Sequence, residues 1–110
     1  MSQPKLVTGD DLAIPVTLKK DGVVFAIADT ATVKARLVSV DHDAVYCDEI
    51  GQSKDTTGAD WSNSLVVVVV ASTDTVDMTH QGLALLEIQV DDDGKRTWFV
   101  IVNIVTGNID

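Results

Sequence analysis

The chain is poor in the residues from which most protein chemistry is built. Its 110 residues include one cysteine, Cys47, and two histidines, His42 and His80. A single thiol rules out an internal disulfide framework and suits synthesis in a reducing compartment such as the bacterial cytoplasm. One Cys and two His also cannot supply a structural zinc site of ordinary composition. Lys and Arg number 8 against 17 Asp and Glu, a formal charge of −9. Phosphate recognition depends on clustered Lys and Arg, so nucleic acid is not expected as a partner, nor is an anionic membrane surface. The longest apolar run, Leu65 to Ala71, is far short of the roughly 20 residues of a membrane-spanning helix. No apolar h-region precedes the acidic pair Asp10-Asp11, so no signal peptide is expected. The initial Met1 points to a complete reading frame.

What is present is strand patterning. Hydrophobic residues make up 45% of the chain, enough for one folded domain spanning 1–110, with flexible ends at 1–6 and 106–110. Leu12, Ile14, Val16 and Leu18 alternate with Ala13, Pro15, Thr17 and Lys19, the pattern of a strand buried on one side. Pro15 cannot donate a ladder hydrogen bond, which predicts an edge position or a bulge. Asp21-Gly22 predicts a hairpin turn with Val23 to Ile27 returning. Val33, Ala35 and Leu37 alternate with Lys34, Arg36 and Val38. Val45-Tyr46-Cys47 is a short apolar segment, and Asp48 to Asn63 reads as a long exposed connection. Leu65 to Val70 is β-branched without alternation, as in a strand covered on both faces, and the segment from Thr73 to Met78 reads as a bend or one helical turn. Gly82 opens a strand that turns at Asp91-Asp92-Asp93-Gly94 and returns as Lys95 to Val105, apolar on both faces. No stretch has helical periodicity. About seven short strands separated by turn signals predict an all-β fold, an immunoglobulin-like antiparallel β-sandwich, with a small barrel as the fallback.

Catalytic constellations are missing. Cys47 and His42 are an odd number of residues apart, which places them on opposite faces of a regular strand. Counting an EF-hand loop from Asp91 puts Lys95 and Arg96 where a ligand and the glycine belong. The acidic turn and Asp41-His42-Asp43 remain only as weak cation sites. No catalytic residue, cofactor or metal ligand is therefore assigned, and the chain is expected not to be an enzyme. Aromatics are scarce, at 5%, which limits stacking platforms to Trp61, Tyr46 or Trp98; Trp61, Trp98, Phe99 and Ile101 are the expected interface or recognition residues. Trp61 either offers a binding face or folds back to cap the core.

Gly9-Asp10-Asp11-Leu12, the Asp21-Gly22 hairpin and the run from Ile27 to Leu37 resemble the start of small phage structural domains. The family is that of the N-terminal domain of the baseplate upper protein of tailed phages and related tail and fibre-attachment proteins. Asp74-Thr75, the Gly82 strand opener, Glu87, the Asp93-Gly94 turn and the closing aromatic strand extend the likeness over 7–105. Ala31 and Leu83 stand where the family often has Gly and an aromatic. The resemblance implies a non-enzymatic virion component of the tail, baseplate or fibre-attachment region, or a head decoration protein. It would be a homo-oligomer, bound to other virion proteins through sheet edges and apolar patches. Since the chain stops at Asp110, the host-recognition part would be missing or carried by another polypeptide. The rival expectation is an immunoglobulin-like binding module that recognises carbohydrate or protein through the 48–63 loop.

Overall fold

The computed structural model describes residues 5–9, 11–24, 26–75, 78, 80–92 and 94–105. Among them the chain is all-β with nine strands: β1 Lys5–Val7, β2 Leu12–Thr17, β3 Lys19–Lys20, β4 Val23–Val24, β5 Thr32–Val38, β6 Val45–Gln52, β7 Leu65–Val70, β8 Gly82–Asp91 and β9 Lys95–Val105. A 3-10 turn at Trp61–Asn63 precedes β7, and α1, Ser72–Thr75, follows it. No helix among the described residues is long and apolar enough to cross a membrane.

The strands form a five-stranded sheet in the order β1-β9-β8-β5-β6, a β2-β7 pair and a β3-β4 pair. All pairings are antiparallel except β1 with β9, which is parallel. Alternation decides which side of each strand is buried. On β8, Ala84, Leu86, Ile88 and Val90 point inward, while Leu83, Leu85, Glu87 and Gln89 lie on the outer face. Val33, Ala35 and Leu37 of β5 and Val102 and Ile104 of β9 join that inner face. Facing it are Ile14 of β2 and Val66, Val68 and Val70 of β7, so both sheets contribute to one core cluster. Each Val, Leu or Ile fully buried there stabilises the fold by about 1.5–3 kcal/mol relative to exposure.

Local signals explain several connections. Asp21 and Gly22 have φ of 54° and 80°, and Lys20 pairs with Val23 across them. Positive φ at both central residues suits the right-handed twist of the flanking strands. Pro15 is exposed on β2, whose only partner strand among the described residues is β7. In β7, Val67 on the outer side is also buried, at 6% exposure, with Gly58 of the preceding loop beside it. After β7, Asp11 accepts a hydrogen bond from the Ser72 N–H at 2.7 Å, and the buried Thr75 hydroxyl accepts one from the Gly9 N–H at 3.0 Å. These bonds fasten α1 to the β1–β2 connection.

The structure corrects the sequence reading in four places. Lys5 and Leu6, assigned to a flexible end, lie in β1, and Leu6 is 1% exposed; residues 1–4 and 106–110 lie outside the described residues. Residues 48–52, assigned to the long connection, belong to β6, so the loop between β6 and the 3-10 turn is only 53–60. β6 escapes a periodicity reading because its register against β5 shifts twice: Ala35 faces Ile50, Leu37 faces Cys47 and Val38 faces Val45. Of the described residues in the returning strand expected over 23–27, Val23–Val24 form β4, and Ile27 instead donates its N–H to the Trp61 carbonyl at 2.8 Å; Phe25 lies outside the described residues. Finally, nine strands divide among three sheets, where about seven were expected.

The two larger sheets are also tied by a side chain. Gln52, at the end of β6, accepts a hydrogen bond from the Val69 N–H at 2.7 Å and donates to the Val69 carbonyl at 3.3 Å. Its carboxamide thus takes the place that a neighbouring strand would occupy beside β7.

Candidate functional site

The outer face of the five-stranded sheet has a polar end and an apolar end. At the polar end, Lys34 pairs with Glu49 at 3.4 Å and Arg36 with Glu87 at 2.9 Å. These four residues, with Ala35 and Gln89, line a shallow, open depression. Its carboxylates and cations neutralise one another, so it offers no free acid–base pair.

At the apolar end, the register places Leu85 between Val38 and Ile101, with Leu83 opposite Asn103. Ile101 and Leu83 are 47% and 49% exposed, Val45 beyond Val38 is 53% exposed, and Phe99, opposite Glu87 at the border with the polar end, is 48% exposed. Soluble proteins rarely leave such side chains grouped without a partner. The Ser39–Ala44 turn closes the β5–β6 hairpin and leans over this end, with the His42 ring edge-on to Phe99 at 4.8 Å. Val40 in that turn is 55% exposed. Beside it, Tyr46 stacks on His80 at 4.1 Å, and His80 Nε2 lies 3.0 Å from the Leu83 carbonyl.

Hydrogen bonding holds the turn in shape. The Ser39 hydroxyl donates to Asp41 at 2.6 Å and accepts from the Asp43 and Ala44 N–H groups, both at 2.9 Å. The Ser39 hydroxyl and then the Asp43 N–H hold the Asp41 carboxyl below the usual carboxylate range. Asp60 is lowered in the same way by the Ser62 hydroxyl and the Asn63 amide, which donate to it at 2.6 and 2.7 Å.

The four residues singled out from the sequence are not brought together. Phe99 and Ile101 share the exposed outer strip. Trp98 faces the other way, half-buried against the core, and its indole donates to the Lys19 carbonyl at 2.9 Å. Trp61 is 6% exposed and belongs to the core, so it presents no face for recognition. Sequence reasoning missed Leu83, Val45 and Val40. Leu83 carried a readable signal, since it shares the outward phase of β8 with Glu87 and Gln89.

The residues considered for chemistry also separate. Cys47 is buried, and burial, followed by the nearby Asp74 and Asp48 charges, pushes its thiol up. A nucleophilic cysteine needs the opposite shift. The His42 ring packs on Phe99. Among the described residues, no three of His, Cys, Asp and Glu come together as a group able to hold a metal; Asp93 of the acidic turn lies outside them. The grouped, half-exposed side chains of the outer strip make it the candidate site. No protein-family model matches the chain, and no curated protein matches it at a significant level.

Proposed function

We propose that this chain is a non-enzymatic structural protein of a tailed phage or prophage, an immunoglobulin-like β-sandwich that assembles through an exposed sheet face. Its place is the tail, baseplate or fibre-attachment region, or the head as a decoration protein, after synthesis in the bacterial cytoplasm. The observation that carries the assembly role is the outer strip of Leu83, Phe99, Ile101 and Val45, each about half exposed. Large apolar side chains grouped on one face gain free energy when a partner covers them, by about 25 cal/mol for each Å² removed from water. The phage context comes from the resemblance carried by the 9–12, 21–22, 27–37 and 74–105 segments. A raised Cys47 thiol and mutually paired carboxylates at the sheet's depression favour a binding role over a catalytic one. The rival reading, recognition through the 48–63 loop, is favoured less, because β6 runs to Gln52 and Trp61 is buried, leaving 53–60 as its exposed part.

Mass spectrometry of particles purified from the producing culture tests this reading. The chain is expected in stoichiometric amount among the particle proteins. Particles that lack it while the chain accumulates in the soluble fraction would refute the virion role.

A further inference from the structure

The outer strip has two unlike margins. On one side lies β1, where Lys5 pairs in register with Asn103 and shares its outward phase, Leu6 being the inward residue. On the other side the Ser39–Ala44 turn rises from the β5–β6 hairpin, carrying the exposed acids Asp41 and Asp43. Between them run β9 and β8 with Phe99, Ile101 and Leu83. A cation therefore stands at the β1 edge of the apolar strip, and two carboxylates stand on the turn that rises from the β5 side and reaches Phe99 through His42. Of the other charges on this face, Lys34, Glu49, Arg36 and Glu87 are paired within the chain, and Asp91 and Lys95 lie opposite one another at the far end of the β8–β9 ladder.

We infer that the strip is covered by a second copy of this chain, docked face to face about a twofold axis running along β8. This rests on the assembly role proposed above and names its first partner. Such an axis exchanges the two margins, so the acidic turn of each copy comes to Lys5 of the other. A twofold contact uses the same patch on both subunits and must be self-complementary. Opposite charges on opposite margins meet that condition. Val40, at 55% exposure on the turn, then meets the strip of Leu83 and Ile101 on the other copy.

The size of the strip agrees. Five apolar side chains about half exposed, Val40, Val45, Leu83, Phe99 and Ile101, leave roughly 400–500 Å² of apolar surface on this face. A standard interface buries about 800 Å² per partner, of which about 56–65% is apolar. The strip thus matches the apolar share of one such interface, with Asn103, Lys5 and the acidic turn as its polar rim. The formal charge of −9 on each copy opposes association at long range, but that repulsion is screened beyond about 8 Å at physiological ionic strength.

Sedimentation velocity on the full chain provides the test, with circular dichroism confirming that each variant is folded. The wild type is expected to sediment at twice the 11.8 kDa chain mass. Ile101→Lys should leave a folded monomer. Lys5→Glu should weaken the dimer on the order of tenfold, and combining it with Asp43→Lys in the same chain should restore it. A wild type that stays monomeric at submillimolar concentration overturns the second copy as occupant. A dimer indifferent to Ile101→Lys, or a double charge swap that fails to rescue, overturns this face and orientation. Particle composition reports separately on the assembly role: a monomer incorporated into virions removes only the dimer, and a dimer absent from virions removes only the virion.

Discussion

Replacing Gln52 tests how the two sheets are held together. Its carboxamide accepts from the Val69 N–H at 2.7 Å and donates to the Val69 and Ile50 carbonyls at 3.3 and 3.1 Å. Gln52→Met keeps the length and removes all three bonds. Val69 is 37% exposed, so water can reach its freed backbone groups. The loss per bond then lies near the low end of the net range, about 0.5 kcal/mol, or about 1.5 kcal/mol in all. For a domain of this size that corresponds to a fall in melting temperature of roughly 6 °C. Urea denaturation should show a lower midpoint with an unchanged slope. Gln52→Glu separates the donor role from the acceptor role. Its carboxylate can still accept from Val69 but faces two carbonyls with no proton to offer them. The neutral acid restores the donor, so the folded state holds this carboxyl's pKa above its unfolded value. Its stabilisation is therefore complete below the unfolded carboxyl range and lost as pH rises through the folded value. The Glu variant should lie well below wild type at neutral pH and approach it on acidification. A Met variant within about 0.3 kcal/mol of wild type, or a Glu deficit that does not change with pH, would refute the stitch.

Three further outcomes follow from particular side chains. Ser64 has φ of 64° and a fully buried hydroxyl without a partner, so Ser64→Gly relieves about 1 kcal/mol of left-handed strain and an unmet hydrogen bond. Glycine's extra unfolded-state freedom offsets part of that gain; the melting temperature should still rise, and a fall refutes the account. Cys47, buried with its thiol pushed up, should resist thiol reagents in the native chain at neutral pH and react once the chain is unfolded, and rapid native labelling would contradict its placement. Because its folded pKa is raised, the stability this thiol contributes is complete below the unfolded thiol range and declines as pH rises through the folded value. Asp41 and Asp60, lowered by their Ser39 and Ser62 hydroxyl partners, should show carboxyl-carbon NMR midpoints below the ordinary Asp value. The hydrogen bonds they accept are kept above that value and released as pH falls through the lowered midpoint; ordinary midpoints would show that the two turns are not held this way.

Much of the strand layout was legible because it depends on local chemistry. Alternation in Leu12 to Leu18, Val33 to Leu37 and Leu86 to Val90 names the buried face directly, since a strand's side chains reverse direction at every residue. Asp21-Gly22 named its own turn because few other pairs adopt positive φ twice in succession. β6 was hidden for a physical reason. As an edge strand carrying exposed Asp48 and Glu49 and two register shifts, it has neither the composition nor the period of a strand. β1 was hidden differently: three residues are too few for a pattern, and their parallel pairing with β9 joins the two ends of the chain. At the candidate site, Phe99 and Ile101 were readable as the second apolar face of β9. Val45, Val40 and the bond from Ser39 to Asp41 depend on how the hairpin end folds over the sheet.

The same edges bear on how such a chain can assemble. Contacts through sheet edges were expected from the resemblance, yet each principal edge carries a feature that blunts strand addition. β1 is three residues long. β6 shifts register twice and exposes two acids. β2 places Pro15 at its middle, and β7 has its free side engaged by Gln52 at Val69. A chain with the uncharged run Leu65 to Val70 at its centre needs such protection, because an open edge beside that run would recruit identical strands without limit. Under the assembly role proposed above, blunted edges leave a face as the route to association. A face contact can be finite, because a twofold axis closes it after two copies, whereas edge-to-edge pairing propagates. In the dimer inferred above, the exposed strip of Leu83, Phe99 and Ile101 and the blunted edges would be two parts of one arrangement, directing association to a surface that ends with its partner.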